Sequence, residues 1–79
     1  MNRDRDPIAM GIKQIIEDKG LLKGFVAKSC GYTKQQFSDM LNGRKVIRAS
    51  DIQPIAQAIG VTVQDVYDAG AAYLQREGA

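Results

Sequence analysis

The sequence predicts an all-α fold of five short helices. Helix start and stop signals mark the segment boundaries, apolar residues recur at three- and four-residue spacing, and no stretch alternates apolar and polar residues as a half-buried strand would. The chain has 79 residues, of which 44% are hydrophobic and 25% charged, which is typical of a small globular domain. This length supports one hydrophobic core, so we expect no separate ligand-sensing domain, no small-molecule ligand and no cofactor.

The first helix is predicted from Asp6 to Gly20. Asp6 is a favourable N-cap, Pro7 fits the first turn because its missing N–H would have no partner there, and Gly20 is a typical C-terminal stop. The apolar positions between them form one stripe that we assign to the core, namely Ile8, Ile12, Ile15 and Ile16.

Two helices of about eight residues follow, joined by a three-residue turn that contains glycine. The second helix spans 23–30 and ends at Gly31, and the third runs from Thr33 to about Leu41. Thr33 and Gln36 have the spacing of a capping box, in which each side chain accepts a hydrogen bond from the other's backbone amide. The apolar positions of the second helix are Phe25, Val26, Ala27 and Cys30.

A fourth helix is predicted from Ser50, which opens a capping box as N-cap, to Gly60. Pro54 then lies at the fourth helical position, where its missing N–H costs no hydrogen bond. A third box over residues 62–65 starts the fifth helix, and residues 69–79 are open between a short C-terminal helix and a tail. The core positions of these two helices are Ile52, Ile55, Ala56, Ile59, Val63, Val66 and Tyr67.

Positive charge is concentrated in the middle of the chain. Residues 23–48 carry six basic residues and one acidic residue, a net charge of +5, whereas residues 1–22 are neutral and residues 49–79 carry −3. This pattern is typical of a domain that binds a polyanion, and equally of a solvated lysine-rich surface. Charge alone leaves both interpretations open.

Composition disfavours several classes of function. The chain has no histidine and a single cysteine, Cys30, so it lacks the usual zinc ligand sets, an internal disulfide and the common catalytic pairs. No apolar run approaches the roughly 20 residues needed to cross a bilayer, and no secretory signal is visible. We therefore expect a non-enzymatic cytoplasmic protein, associated with the nucleoid if it binds DNA.

Residues 23–42 resemble the helix-turn-helix of the Cro/C1-type family, also known as XRE or lambda-repressor-like, without a gap. Its apolar positions, its small residue at the helix crossing and its turn glycine are matched by Val26, Ala27, Cys30, Gly31, Tyr32, Phe37 and Met40. Residues 41–45 and 55–61 resemble further family blocks, so the likeness covers about 8–68. It implies a lambda-repressor-like DNA-binding domain over residues 1–68, with the helix-turn-helix at helices 2 and 3.

Three of these positions have structural roles in the motif. Ala27 must be small if the second and third helices are to cross closely. Gly31 is expected in the left-handed conformation that a helix C-terminus favours, and Phe37 is expected to face inward. Each assignment is also compatible with ordinary packing.

The third helix would be the recognition helix, with its outward face in the major groove. Lys34, Gln35, Ser38 and Asp39 lie on that face or at its leading edge, and we assign them to base reading. Glutamine can bind adenine and lysine can donate to guanine, at about 1–3 kcal/mol of discrimination for a good bidentate pair. Asp39 could accept from cytosine, although its charge repels phosphate. The alternative is a solvated polar face without a partner.

Phosphate binding is assigned to the starts of the second and third helices and to the loop after the third, namely Lys23, Gly24, Thr33, Asn42, Arg44, Lys45 and Arg48. The second helix departs from the family pattern because Leu22 stands where a hydroxyl cap is usual, and Lys23 and Gly24 replace a glutamine and an acidic residue. DNA phosphate or water could satisfy its free amides.

The resemblance implies sequence-specific binding of duplex DNA by a homodimer on a palindromic operator. We expect a transcriptional repressor of phage or bacterial type that acts by operator occupancy, with activation left open. The alternative is a protein-interaction module, such as an antitoxin or phage regulator, on the same scaffold. Candidate dimer contacts, for which an intramolecular core is the stronger interpretation, are Val61, Val63, Tyr67, Tyr73 and Leu74.

Overall fold

The computed structural model describes residues 6–78 and contains five helices and no strand within them. The helices are α1 (Pro7–Lys19), α2 (Lys23–Cys30), α3 (Lys34–Leu41), α4 (Ala49–Ile59) and α5 (Val63–Gly78). The all-α, five-helix prediction is therefore confirmed. Residues 1–5 and 79, which the predicted domain boundaries include, lie outside the described residues.

Helix termini follow the predicted capping chemistry in three of the five helices. The Asp6 carboxylate accepts from the Ile8 amide at 3.0 Å at the start of α1. At α3, the Gln36 amide donates to the Thr33 hydroxyl at 3.0 Å and the Thr33 amide donates to Gln36 Oε1 at 2.9 Å. Thr62 and Asp65 make the same reciprocal pair before α5, at 3.0 and 2.9 Å. Each pair satisfies amides that have no partner inside the helix.

The start of α4 differs from the prediction, because its N-cap is Arg48 and Ser50 lies inside the helix. The Arg48 amide donates to Asp51 Oδ2 at 2.9 Å, and the Asp51 amide donates to the Arg48 carbonyl at 2.8 Å. With Asp51 as its partner, the N-cap of α4 lies two residues earlier than the predicted cap at Ser50. Pro54 consequently lies at the sixth helical position and leaves the Ser50 carbonyl without its helical donor.

The core is built from one face of every helix. Its buried side chains are Ile12, Ile16, Val26, Ala27, Phe37, Met40, Leu41, Ile52, Ile55, Ala56, Ile59 and Val66. Ile8 and Ile15 pack against this cluster and are partly buried, as the α1 stripe predicts. Tyr67, predicted as a core position of α5, is wrong as a core residue because it is 44% exposed, and the apolar Phe25 of α2 is 62% exposed.

The end of the chain continues α5 as helix through Gly78. This helix packs along α1, where Gly70 and Gly11 approach closely, and Tyr73 is only 8% exposed. Residues 69–76 therefore belong to the same packed unit as the helix-turn-helix. α1 also packs on α3 and α5 on α4, while α2 packs on α3 and α4. The outer faces of α2 and α3 stay exposed.

Candidate nucleic-acid interface

The helix-turn-helix of α2 and α3 is closed by a glycine turn. Gly31 has φ +83°, the left-handed conformation predicted for it, and no atom lies within 4 Å of a Cβ built there. The Tyr32 amide donates to the Ala27 carbonyl at 2.9 Å, which satisfies a carbonyl at the α2 C-terminus. The turn therefore directs the chain into α3 by backbone geometry that suits glycine.

Ala27 and Phe37 hold the two helices together. Both are 1% exposed, and Ala27 lies in the core where α2 packs on α3 and α4. A side chain larger than alanine would separate the helices, since the crossing has no spare room in a buried cluster. These two positions and Gly31 lie where the motif assignment expects them.

The four predicted base-reading residues lie on one side of α3. Lys34 and Gln35 are exposed, Ser38 and Asp39 are half-buried, and the opposite face is buried in the core. Gln35 Nε2 donates to Asp39 Oδ1 at 3.0 Å, one turn further along the helix. Gln35 therefore keeps its carbonyl oxygen and one N–H free, enough for a bidentate contact with a base edge.

Three further polar side chains on or just after α3 are partly engaged in hydrogen bonds. Asn42 Nδ2 donates to the Ser38 hydroxyl at 3.3 Å, so these two side chains form one polar unit at the end of the helix. Gln36 spends its carbonyl oxygen on the Thr33 amide, as its capping role predicts. Although exposed, the Gln36 side chain is therefore less available for contact with DNA than the other polar side chains of α3.

The basic loop, residues 42–48, is fixed to the end of α3. The Arg44 and Lys45 amides both donate to the Asp39 carbonyl, at 2.8 and 3.2 Å. The Arg44 guanidinium also lies 4.0 Å from Asp39 Oδ1, and its side chain is 73% exposed. An exposed pair at this distance contributes little to stability, so Arg44 is available to a phosphate.

The predicted phosphate-binding residues fall into two groups. Lys23 and Gly24, at the start of α2, border an open groove together with Lys34 of α3, so the two helix N-termini are neighbours. Lys45 and Arg48 border a second cleft at the end of the basic loop, and both are exposed. Thr33, Asn42 and Arg44 are exposed at the two ends of α3, between these groups.

The start of α2 has no side-chain cap. Leu22 is the N-cap residue, is 75% exposed and makes no capping hydrogen bond. No atom lies within 4 Å of a Cβ built at Gly24, so the first turn is open to an approaching group. These observations agree with the departure that the sequence shows at this helix.

Tyr32 and Asp51 form a contact that the sequence analysis missed. The Tyr32 hydroxyl donates to Asp51 Oδ1 at 2.6 Å, and the Tyr32 ring stacks on Phe37 with centroids 6.5 Å apart and an interplanar angle of 9°. The motif predicts Tyr32 only as an apolar residue. No sequence signal connects it to a carboxylate 19 positions away, because the contact depends on how α4 docks.

This contact shifts the pKa of both partners. Partial burial, followed by the hydrogen bond to the Asp51 carboxylate, raises the pKa of Tyr32 to about 12. The same hydrogen bond, together with the Arg48 amide, holds the pKa of Asp51 below its ordinary value. Asp51 is therefore a stable carboxylate, and Tyr32 a stable hydroxyl donor, throughout the neutral range.

Two classes of site are missing from the described part of the chain. No group of three or more histidine, cysteine, aspartate or glutamate side chains there could hold a metal ion. Within the same residues, no helix is long and apolar enough to cross a membrane. The candidate site therefore consists of the polar and basic side chains of α2, α3 and the basic loop.

A helix-turn-helix with a polar outer face and an attached basic loop defines a DNA-binding domain of the helix-turn-helix class. Residues 11–70 match the family described as the Cro/C1-type HTH DNA-binding domain. The chain belongs to this family, as its resemblance indicates.

Two crystal structures of the clp gene regulator ClgR from Corynebacterium glutamicum have similar folds. One has a TM-score of 0.83 and 21% identity, covering 89% of this chain and 91% of that chain. The other has a TM-score of 0.86 and 20% identity, covering 94% and 79%. No curated protein matches the sequence. At these identities the structural likeness confirms the fold.

Proposed function

We propose that this protein is a transcription regulator that binds a specific duplex DNA sequence, and that it represses by occupying its operator. The observation that supports this most directly is the exposed polar face of α3 with the basic loop held against its end by the Asp39 carbonyl. Side chains that can read bases and side chains that can bind phosphates thereby share one surface. The structurally similar ClgR is itself described as a gene regulator.

In the proposed complex, α3 lies in the major groove. Lys34 and Gln35 reach bases from the first turn, and Ser38 and Asp39 from the second. The Gln35–Asp39 hydrogen bond orients the glutamine before binding, which lowers the cost of ordering it on DNA. Phosphates on either side are bound by the starts of α2 and α3 and by the basic loop, which fixes the register of α3 on the duplex.

A homodimer would place two recognition helices on a palindromic operator, about one helical turn apart. Of the five candidate dimer contacts, Tyr73 is buried and Val61 and Val63 are partly buried against the core. Tyr67 and Leu74 are 44% and 52% exposed, and they lie seven residues apart on one face of α5. This face is the proposed dimer contact.

The proposal requires neither catalysis nor a bound metabolite. Repression by occupancy depends on the protein's concentration and on its affinity for the operator. The phage or bacterial origin suggested by the family resemblance and an association with the nucleoid are part of the same proposal.

The test is the affinity for random-sequence duplex DNA as salt rises, measured for the unchanged protein and for Arg44→Ala/Lys45→Ala. We expect a steep loss of affinity with salt, and a slope of log K against log salt that is smaller by about one for each phosphate contact removed. The double variant Lys13→Ala/Lys19→Ala removes the same charge from α1 and should keep the slope. Selection of an operator from a random duplex pool then tests specificity.

A protein-interaction module is the second candidate, favoured by one observation. Leu22 and Phe25 are 75% and 62% exposed and border the same groove as Lys23 and Lys34. Exposed apolar side chains that lie together are typical of protein contacts. Absent or salt-independent DNA binding would favour this candidate over the repressor.

A further inference from the structure

The Tyr32–Asp51 hydrogen bond joins the helix-turn-helix to the helix that follows the basic loop. Tyr32 lies in the turn between α2 and α3, and Asp51 lies in the first turn of α4. Their side chains meet at 2.6 Å, and stacking on the buried Phe37 holds the Tyr32 ring. A charge-assisted bond from a ring held in this way is a rigid connection.

The same carboxylate also fixes the end of the basic loop. Asp51 Oδ1 accepts from Tyr32, while Oδ2 accepts from the Arg48 amide at 2.9 Å. At the other end of the loop, the Arg44 and Lys45 amides are held by the Asp39 carbonyl of α3. Both ends of the loop are therefore tied to the helix-turn-helix, one directly and one through Tyr32 and Asp51.

Two of the side chains that this connection leaves exposed are cationic. Lys45 and Arg48 are exposed and line a cleft of about 360 Å³ together with Tyr32 and Asp51. The Asp51 carboxylate has two hydrogen bonds of its own, and its negative charge is unfavourable for phosphate. Its place in a basic surface is explained by the position it imposes on Arg48.

We propose that Tyr32 and Asp51 are a positioning pair that fixes Arg48, at the end of the basic loop, relative to α3 before DNA binds. The inference rests on the proposed DNA-binding function and deepens it. A loop already held in its bound position costs less entropy to order on the duplex, so affinity rises without a further contact to DNA. Tyr32 acts through Arg48 and carries no charge. Removing its hydroxyl should therefore lower affinity without changing the salt slope, whereas removing a phosphate-binding lysine changes both.

The first test is Tyr32→Phe, which keeps the stacked ring and removes the hydroxyl. We expect affinity for random-sequence duplex to fall about tenfold, with a nearly unchanged salt slope because every charge remains. In an Arg48→Ala background the same substitution should change affinity less than about twofold, as expected for coupled residues. An equal loss of affinity in both backgrounds, or no loss in either, would contradict the positioning role of Tyr32 and Asp51.

Asp51→Asn is a second test, because an electrostatic role and a positioning role of Asp51 predict opposite changes in DNA affinity. Removing a negative charge from a basic surface should strengthen DNA binding if Asp51 acts only electrostatically. The positioning role predicts weaker binding, because a single amide oxygen replaces two carboxylate oxygens that hold different partners. Asp18→Asn, which removes the same charge from an exposed position of α1, is the matched control and should leave affinity unchanged. Stronger binding by Asp51→Asn would contradict the proposal.

Hydrogen exchange on the free protein separates this inference from the proposed function. In Tyr32→Phe the Arg48 amide should exchange about tenfold faster while the core amides of α1 and α5 keep their rates, since the opening is local. Unchanged exchange at Arg48 would overturn the positioning pair even if the unchanged protein binds DNA tightly. Failure of the unchanged protein to bind any duplex would instead overturn the proposed function.

Discussion

Gly11 of α1 lies directly against Gly70 of α5, so that a Cβ built on Gly11 would be 2.7 Å from the Gly70 amide nitrogen. In the other direction, a Cβ on Gly70 would be 3.0 Å from the Pro7 carbonyl oxygen. Glycine inside a helix costs about 0.5–1 kcal/mol relative to alanine. The presence of glycine on both helices is explained by the close approach of their backbones, which packs the middle of α5 against α1.

Gly11→Ala should therefore destabilise the protein. The new methyl group would collide with backbone atoms that cannot rotate away, and overpacking of this kind costs about 1–3 kcal/mol, more than the gain in helix propensity. Gly24→Ala is the matched control, because nothing lies within 4 Å of its Cβ, and it should stabilise by about 0.5 kcal/mol. Urea unfolding of both variants measures the difference; equal midpoints would contradict the close packing.

Most of the helix ends were predictable because their signals are local. The side chains of Asp6, Thr33 and Thr62 each accept a hydrogen bond from a backbone amide two or three residues later. Gly31 adopts the left-handed conformation that its position in the motif predicts. Such contacts form within one turn of helix and need no other part of the chain.

The start of α4 was not predictable in the same way, because a contact with a distant segment helps to decide it. Two capping boxes overlap at the start of α4, and the one between Arg48 and Asp51 forms where one opened by Ser50 was expected. The Asp51 carboxylate is a stronger acceptor than an amide, and its second oxygen is held by Tyr32 from another element. The exposure of Phe25 was not predictable either, since helical spacing does not show which of several adjacent apolar residues meets the core.

The two phenylalanines should respond in opposite ways to truncation. Phe37 is 1% exposed at the centre of the core, so Phe37→Ala should lower the free energy of unfolding by about 3–5 kcal/mol. Phe25 is 62% exposed, and Phe25→Ala should change it by less than about 0.5 kcal/mol. Thermal and urea unfolding of the pair measures both. A loss above about 2 kcal/mol for Phe25→Ala would place that ring in the core after all.

Alkaline pH should weaken the contribution of Tyr32 to stability. The pKa of Tyr32 is raised from 10.0 to about 12, first by burial and then by the Asp51 hydrogen bond. Between these two values the folded protein keeps a proton that the unfolded chain has lost, so this contribution is complete below pH 10 and disappears as pH rises towards 12.

The comparison of the unchanged protein with Tyr32→Phe isolates this effect, because other groups that titrate at high pH are common to both. Free energies of unfolding in urea should differ most at neutral pH, and the difference should shrink as pH rises from 10 towards 12. A difference that stays constant over this range would mean that the Tyr32 pKa is the same in the folded and unfolded states.

The exposed face of α5 predicts the behaviour of a dimer variant. Leu74 is 52% exposed, and Leu74→Glu would place two like charges in the proposed contact between copies, weakening association. Sedimentation equilibrium should then show a monomer, and operator affinity should fall while affinity for short random duplex changes little. Gln75→Glu adds the same charge at the next residue and is the control. Equal self-association of both variants would exclude this face as the dimer contact.

The uncapped start of α2 makes a prediction in which stability and DNA affinity change in opposite directions. Gly24 lies in the first turn of a helix that has no side-chain cap and no acidic residue there. A carboxylate in a first turn usually stabilises a helix by about 0.3–1 kcal/mol, because it lies near the positive end of the helix dipole. In Gly24→Glu that carboxylate would occupy the place where a DNA phosphate would otherwise satisfy the free amides.

Gly24→Glu should therefore raise the melting temperature slightly and weaken binding to operator and random-sequence duplex by the same factor, since a phosphate contact carries no sequence information. Gly24→Gln has nearly the same size without the charge, and it separates repulsion from steric hindrance of the close approach. Affinities of the three proteins for both duplexes, measured at one salt concentration, decide the matter. If Gly24→Glu binds random duplex as tightly as Gly24→Gln does, the amides at the start of α2 are satisfied by water, and the phosphates are bound at α3 and the basic loop alone.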